Sequence, residues 1–139
     1  MSDLVKSFTY GENIGEKTAV KFSAEGIVVK ATSPEDKVCG VTLFEGKQGA
    51  KGDVMMFGLG MVATSGACAV GDLLIPTTDG KLEALDFEEA EGNVFVAGRV
   101  METSASDAHL KAFINPQLVV FPVAEIEQEE EQQEEEPNT

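Results

Sequence analysis

The chain has 139 residues, which is enough for one domain with a single core. Its formal net charge is −15, but eight of its 25 acidic residues lie between Glu125 and Glu136, so the rest of the chain carries 17 acidic against 10 basic side chains. A net-negative body without a cluster of Lys and Arg repels phosphate groups, which argues against nucleic-acid binding and against binding to anionic membranes.

The residues that most often build metal and catalytic sites are scarce. The chain has two cysteines, Cys39 and Cys68, and one histidine, His109. Both cysteines lie inside apolar runs, which predicts buried free thiols. Two cysteines and one histidine are too few to build a zinc site or a Cys/His catalytic pair, so we exclude both. The first residues lack a basic segment followed by an apolar one, and no 18 apolar residues run together, so we expect synthesis in a reducing cytoplasm.

The first segment, residues 1–17, is polar and contains glycine. Its apolar side chains are Leu4, Val5, Phe8 and Tyr10. We expect this segment to be a flexible arm that precedes the folded domain.

Residues 18–123 are expected to fold as an all-β domain, because short apolar and β-branched runs alternate with turn residues such as Glu25-Gly26 and Asp79-Gly80. The pattern predicts about ten short strands in a small β barrel or sandwich. The candidate strands are Ala19–Phe22, Ile27–Lys30, Val38–Phe44, Asp53–Phe57, Gly60–Ala63, Leu73–Pro76, Leu82–Ala84, Val94–Val100, Leu110–Ile114 and Leu118–Phe121.

An internal repeat is visible within this domain. The run Gly26–Ala31 resembles Gly80–Ala84, and Val38–Val41 resembles Val96–Arg99. Each half then reaches an aspartate and a strand that ends in phenylalanine. Two similar β units packed in one barrel or sandwich would give this pattern, and so would coincidence among short strands.

Residues 124–139 form an acidic tail. Like charges repel one another, and the segment offers little apolar area to offset the entropy lost on ordering. We expect disorder in free solution, either as a solubilising tail or as a segment that docks on a basic surface of a partner.

We find no constellation of residues that predicts catalysis or cofactor binding. Strand alternation places His109 opposite in direction to the apolar Leu110, which predicts a solvent-facing imidazole. The glycines and lysines of Gly46–Asp53 lack the spacing of a phosphate-binding loop and favour a hairpin loop, and Gly58-Leu59-Gly60 favours a bend between two strands. We therefore expect no enzyme, cofactor or metal site.

One stretch resembles a known family. Ala63 to Leu82 contains a strand, a Gly71-Asp72 turn, a second strand and an Asp79-Gly80-Lys81 turn, and Val96–Glu102 with Leu110–Ile114 follows. Over residues 18–115 this order is similar to that of bacteriophage capsid decoration, or head cement, proteins.

The resemblance implies a non-enzymatic β barrel that binds the major capsid protein on the outer surface of an expanded head, commonly as a homotrimer, and stabilises the head against internal DNA pressure. It implies a virion protein made in the host cytoplasm, with the arm residues Leu4, Val5, Phe8 and Tyr10 facing the capsid. Two alternatives stay open: another head or tail component on a similar barrel, and a cytoplasmic carrier in which Val54–Phe57 and Met61 line a ligand pocket.

Overall fold

The computed structural model describes residues 3–122, and the acidic tail predicted for residues 124–139 lies outside them. The described chain is almost entirely β, which confirms the predicted fold class, and it holds one short 3-10 turn at Thr78–Gly80. The nine strands are β1 Leu4–Tyr10, β2 Ala19–Ala24, β3 Ile27–Lys30, β4 Val38–Thr42, β5 Lys51–Thr64, β6 Leu73–Pro76, β7 Leu82–Ala84, β8 Gly92–Val100 and β9 Ala108–Phe121.

The strands close into two rings that share β5. In the first ring, the pairings run β1–β3–β2–β4–β5 and return from β5 to β1. In the second, they run β5–β7–β6–β8–β9 and return from β9 to β5. Each ring is a five-stranded barrel, and closure leaves few unpaired strand edges. We call residues 4–57 the first unit and residues 58–121 the second unit.

A glycine marks the point where β5 passes from one barrel to the other. Lys51–Phe57 pairs with β1, and Gly58–Thr64 pairs with β9. Gly58 has φ +132°, a conformation that side chains rarely permit, and a Cβ there would overlap the Asp3 carboxylate. The two strands predicted around Gly58 are therefore one bent strand.

The strand β9 likewise joins two predicted strands, Leu110–Ile114 and Leu118–Phe121. Pro116 lies between them, opposite the register shift of β8 at Val96 and Gly98. Proline cannot donate to a strand ladder, and an irregular position of this kind is where a paired strand tolerates it.

The pairing of the strands confirms the internal repeat for two of its three correspondences, Gly26–Ala31 with Gly80–Ala84 and Val38–Val41 with Val96–Arg99. The third is wrong by two residues, because Val41 pairs with Met55 whereas Arg99 pairs with Phe113, so the equivalent of Phe113 is Met55 and not Phe57. Val20 pairs with Lys30 and Gly40 in the first unit, as Leu74 pairs with Ala84 and Gly98 in the second. These equivalences match the alignment found in the sequence, which paired Gly40 with Gly98. The parallel contact of β1 with β3 likewise has its counterpart between β5 and β7.

Each barrel has its own apolar interior. The first barrel encloses a cluster of Tyr10, Ile14, Val20, Val28 and Val54. The interior of the second barrel merges with one side of the first unit in a single larger cluster. Its fully buried members include Ala19, Val41, Val62, Leu74, Leu82, Ala112 and Ile114.

The second unit carries a hairpin extension that the first unit lacks. It is formed by Gly92–Val96 of β8 and Gln117–Phe121 of β9. Val94, Val119 and Phe121 in this extension belong to a third apolar cluster with Ile75 of β6. The extension thereby covers part of the outside of the second barrel.

The prediction of a flexible arm is wrong for Leu4–Tyr10, which is the paired strand β1. Its partners on β5 and β3 are distant in sequence, so the local pattern did not reveal the pairing. The Ser7 hydroxyl also donates a hydrogen bond to Asp53 of β5, at 2.7 Å. The backbone of β1 is therefore fixed along its length by ladder hydrogen bonds.

Candidate assembly surface

The four arm residues predicted to face a capsid separate in the structure. Leu4 and Val5 are exposed, at 44% and 38%, whereas Phe8 is half-buried. Tyr10 is 1% exposed and packs in the first barrel. The proposed contact is therefore wrong for Tyr10, whose side chain no partner can reach while the barrel is folded.

Two glycines make room for the Tyr10 ring. A Cβ at Gly46 or at Gly52 would overlap the ring from the β4–β5 hairpin loop or from β5. The Tyr10 hydroxyl donates a hydrogen bond to the Phe44 carbonyl oxygen at 2.8 Å. Burial, followed by the nearby Asp53 carboxylate, raises the pKa of Tyr10. Gly46 and Gly52 therefore serve packing, whereas Gly49 has φ +88° and open space around it. The predicted hairpin loop Gly46–Asp53 is confirmed only for its first part, because Lys51–Asp53 belong to β5.

An apolar surface lies on the outside of the second barrel. We call it the outer patch, and it consists of Leu59, Val70, Arg99, Met101 and Phe113. Leu59 and Val70 are 54% and 63% exposed, and the five side chains line a shallow concavity of about 360 Å³. The Arg99 guanidinium donates a hydrogen bond to the Gly71 carbonyl oxygen at 2.7 Å, so its charge lies at the rim and its stem lines the concavity.

A second partly apolar surface lies at one end of the first barrel. We call it the open end, and it consists of Phe8, Phe22, Cys39 and Met56. Phe22 is 44% exposed and contacts Phe8 edge to face, with 5.1 Å between the ring centroids. The other three side chains are half-buried against the core of the first barrel.

The groups that could do chemistry do not converge. His109 is exposed and its neighbour Leu110 is 6% exposed, as strand alternation predicts. Within residues 3–122, no group of three or more His, Cys, Asp or Glu side chains could hold a metal ion. A concavity of about 580 Å³ has a rim rich in acidic residues, including Glu35, Glu83 and Glu89, but it contains neither a histidine nor a basic residue.

The residues of the carrier hypothesis do not line a common pocket. Val54 lies in the core of the first barrel, Met55 packs between the two units, and Met61 is exposed on the outside of β5. Neighbouring strand residues point in opposite directions, so they cannot face one cavity. In residues 3–122, no helix is long and apolar enough to span a membrane.

Both cysteines are free thiols, with Cys68 buried and Cys39 half-buried. Burial raises the pKa of Cys39 from 9.0 to about 11. Because the thiolate is the nucleophile, we expect iodoacetamide at pH 8 to alkylate Cys39 about 100-fold more slowly in the native protein than in urea. Peptide mass spectrometry over time measures both rates, and equal rates in the two conditions would contradict the burial of Cys39.

Comparison with solved structures finds a similar fold in a bacteriophage head protein. The N base of the head fibre gp8.5 in bacteriophage phi29 matches with a TM-score of 0.58 and 17% sequence identity, covering 82% of this chain and 95% of that one. At this identity the match shows a shared fold. No protein-family model matches the sequence, and neither does any curated protein.

Proposed function

We propose that this protein is a structural component of a bacteriophage virion, a decoration protein that binds the outer surface of the expanded head. The observation that carries the proposal is the similarity to a phage head-fibre base, which extends over nearly the whole length of that protein. The order of strands and turns that resembles head cement proteins supports the same assignment. We propose the major capsid protein as the partner.

The distribution of side chains agrees with a function in adhesion. The apolar groups that reach the surface lie on rigid strands, and the residues capable of acid–base or nucleophilic chemistry are dispersed among them. A decoration protein needs many moderate contacts, because symmetry multiplies the binding of each copy over the whole shell.

We propose the exposed start of β1, at Leu4 and Val5, as a capsid-facing contact. Both side chains are apolar, and both are more than one-third exposed. Leu4 pairs with Phe57 and Val5 with Met55, and the register shift between the two pairs interrupts the regular alternation of side-chain directions. A pre-ordered contact loses less conformational entropy on binding than a flexible arm would. Burial of two such side chains contributes about 1 kcal/mol each.

A binding experiment tests this function. Purified protein is mixed with expanded, undecorated heads of the phage that encodes it, and the heads are pelleted. We expect saturable co-sedimentation and a higher temperature of DNA release from the decorated heads. The double variant Leu4→Asp, Val5→Asp should bind at least tenfold more weakly, since each lost apolar contact is worth about 1 kcal/mol.

The matched control is Phe87→Asp, which changes an equally apolar side chain that is 61% exposed in the second unit. It should bind as the unchanged protein does. If the unchanged protein stays in the supernatant at saturating concentration, the decoration function is wrong.

A second candidate is the base of a head fibre, which the similarity to the gp8.5 N base favours specifically. Such a base would also co-sediment with heads, but its task is to carry another structure. We expect it to leave the temperature of DNA release unchanged, and this measurement separates the two candidates.

A further inference from the structure

The two units of the chain meet through a defined apolar contact. On the first unit, Val41 and Met55 are 0% and 6% exposed because the second unit covers them. The Met55 sulfur and the Ile114 Cδ1 methyl both lie beside Gly60, so the outside of the first barrel reaches the interior residues of the second. The Phe95 N–H also donates to the Pro34 carbonyl oxygen, at 2.8 Å across the units.

The repeat gives each residue of this contact an equivalent in the other unit. Val41 pairs with Met55 as Arg99 pairs with Phe113, which makes Arg99 the equivalent of Val41 and Phe113 that of Met55. The two equivalents belong to the outer patch, where Arg99 is exposed and Phe113 half-buried. The second unit thus presents the side that the first unit buries, and among residues 3–122 no further unit covers it. Phe113 is half-buried because the Phe57 ring of the first unit contacts it edge to face, with 5.1 Å between the ring centroids.

The opposite side of the contact shows the same asymmetry. The second unit buries Val62, Pro76, Ala97 and Ile114. Their equivalents in the first unit, by the same strand pairings, are the open-end residues Phe8, Phe22, Cys39 and Met56, none of which is fully buried. Gly80 is likewise buried against Thr18, whereas its equivalent Gly26 has open space around it.

We propose that a second copy of this chain docks head to tail, with the outer patch of one molecule against the open end of the next. In this arrangement, the contact between two molecules is equivalent to the contact that joins the two units within one molecule. Because the two surfaces differ, the interface is heterologous, and successive copies form a ring if the rotation closes. The hairpin extension covers part of the side of the second barrel that carries the outer patch. The interface between molecules is therefore smaller than the contact between the two units within a molecule.

Arg99 defines how this interface differs from the contact within the chain. It stands where the first unit has the buried Val41, and its guanidinium is held at the rim by Gly71. The aliphatic stem can pack against a partner while the charge stays in water. Met101, 46% exposed, supplies the flexible apolar side chain beside it.

Light scattering coupled to size-exclusion chromatography tests the proposal without heads. The chain weighs 14.8 kDa, and we expect a multiple of that mass. Met101→Lys on the outer patch and Phe22→Lys at the open end should each raise the dissociation constant at least tenfold and give monomers. Val120→Lys, at a position that is 67% exposed on the hairpin extension, is the matched control and should keep the oligomer.

Mixing the two defective variants gives the decisive result. Each retains one intact surface, so a 1:1 mixture should form heterodimers that grow no further. Circular dichroism verifies that the variants are folded, and Leu59→Lys replaces Met101→Lys if that variant is not. A monomeric unchanged protein, oligomers that survive both substitutions, or a mixture that stays monomeric would each overturn the head-to-tail contact, whatever the protein does on heads.

Discussion

Replacing Gly98 with alanine is expected to lower the free energy of unfolding by about 3 kcal/mol. Gly98 has φ +159°, at the edge of the left-handed region, and a Cβ there would overlap the Phe113 carbonyl oxygen of β9. A backbone oxygen in a strand ladder cannot move aside as the end of a flexible side chain can. The strands β8 and β9 must therefore separate locally, and hydrogen bonds of the second barrel are lost.

The repeat provides a second instance of the same constraint. At Gly40, the equivalent position, a Cβ would lie 2.5 Å from the Met55 carbonyl oxygen. We expect Gly40→Ala to destabilise by about 2 kcal/mol. Urea denaturation followed by circular dichroism measures both losses. Gly15→Ala is the control, because its Cβ would meet only the Thr18 hydroxyl at 3.5 Å. If Gly98→Ala lowers the free energy of unfolding by less than about 1 kcal/mol, the close approach of the strands is contradicted.

Replacing Tyr10 with alanine is expected to lower the free energy of unfolding by about 4 kcal/mol, because it empties the centre of the first barrel. Tyr10→Phe should cost only about 1 kcal/mol, the contribution of the hydrogen bond to the Phe44 carbonyl oxygen. Phe44→Ala is the matched control: the Phe44 side chain is 61% exposed, and its loss should change stability by less than about 0.5 kcal/mol. A loss below about 1 kcal/mol for Tyr10→Ala would contradict the buried position.

The same residue predicts a dependence on pH. Burial raises the pKa of Tyr10 above 10.0, so the unfolded chain releases the phenol proton at a lower pH than the folded protein does. The contribution of this group is fully present below pH 10 and declines as the pH rises further. Between neutral pH and pH 11, the free energy of unfolding should therefore fall less for Tyr10→Phe than for the unchanged protein. Urea denaturation at each pH measures this difference.

The sequence predicts the fold class and most of the strands, since those strands follow local alternation and end at turn residues. It also predicts the equivalence of Gly40 and Gly98, which the pairings confirm, but it misaligns the last strand of the repeat by two residues, since Met55 and not Phe57 is the equivalent of Phe113. It fails at β1, because Lys6 and Ser7 interrupt the apolar pattern, and the partners of the strand lie on distant segments. The sequence also predicts two strands where β5 is a single strand that bends at Gly58, since a bend and a strand end have the same local signature.

The candidate surfaces are harder to predict than the fold. Leu59, Met101 and Phe113 have the composition of core strand residues, and only the closure of the second barrel places them on the outside. The repeat alignment contains one usable signal, namely that Arg99 occupies the position of Val41. A charged residue whose equivalent in the other unit is apolar and buried indicates a side of the barrel that the other unit does not cover. By contrast, Tyr10 carried no local sign that Gly46 and Gly52 would enclose it.

The strand β5 has a mechanical consequence. Because one covalent backbone runs unbroken through both barrels, a tensile load applied to one of them passes to the other without a hinge. The load acts in shear along the ladder of hydrogen bonds on each side of Gly58, so that the bonds of one ladder share the load. Stiffness between the halves of the molecule thus comes from a shared backbone as well as from the apolar contact between the units.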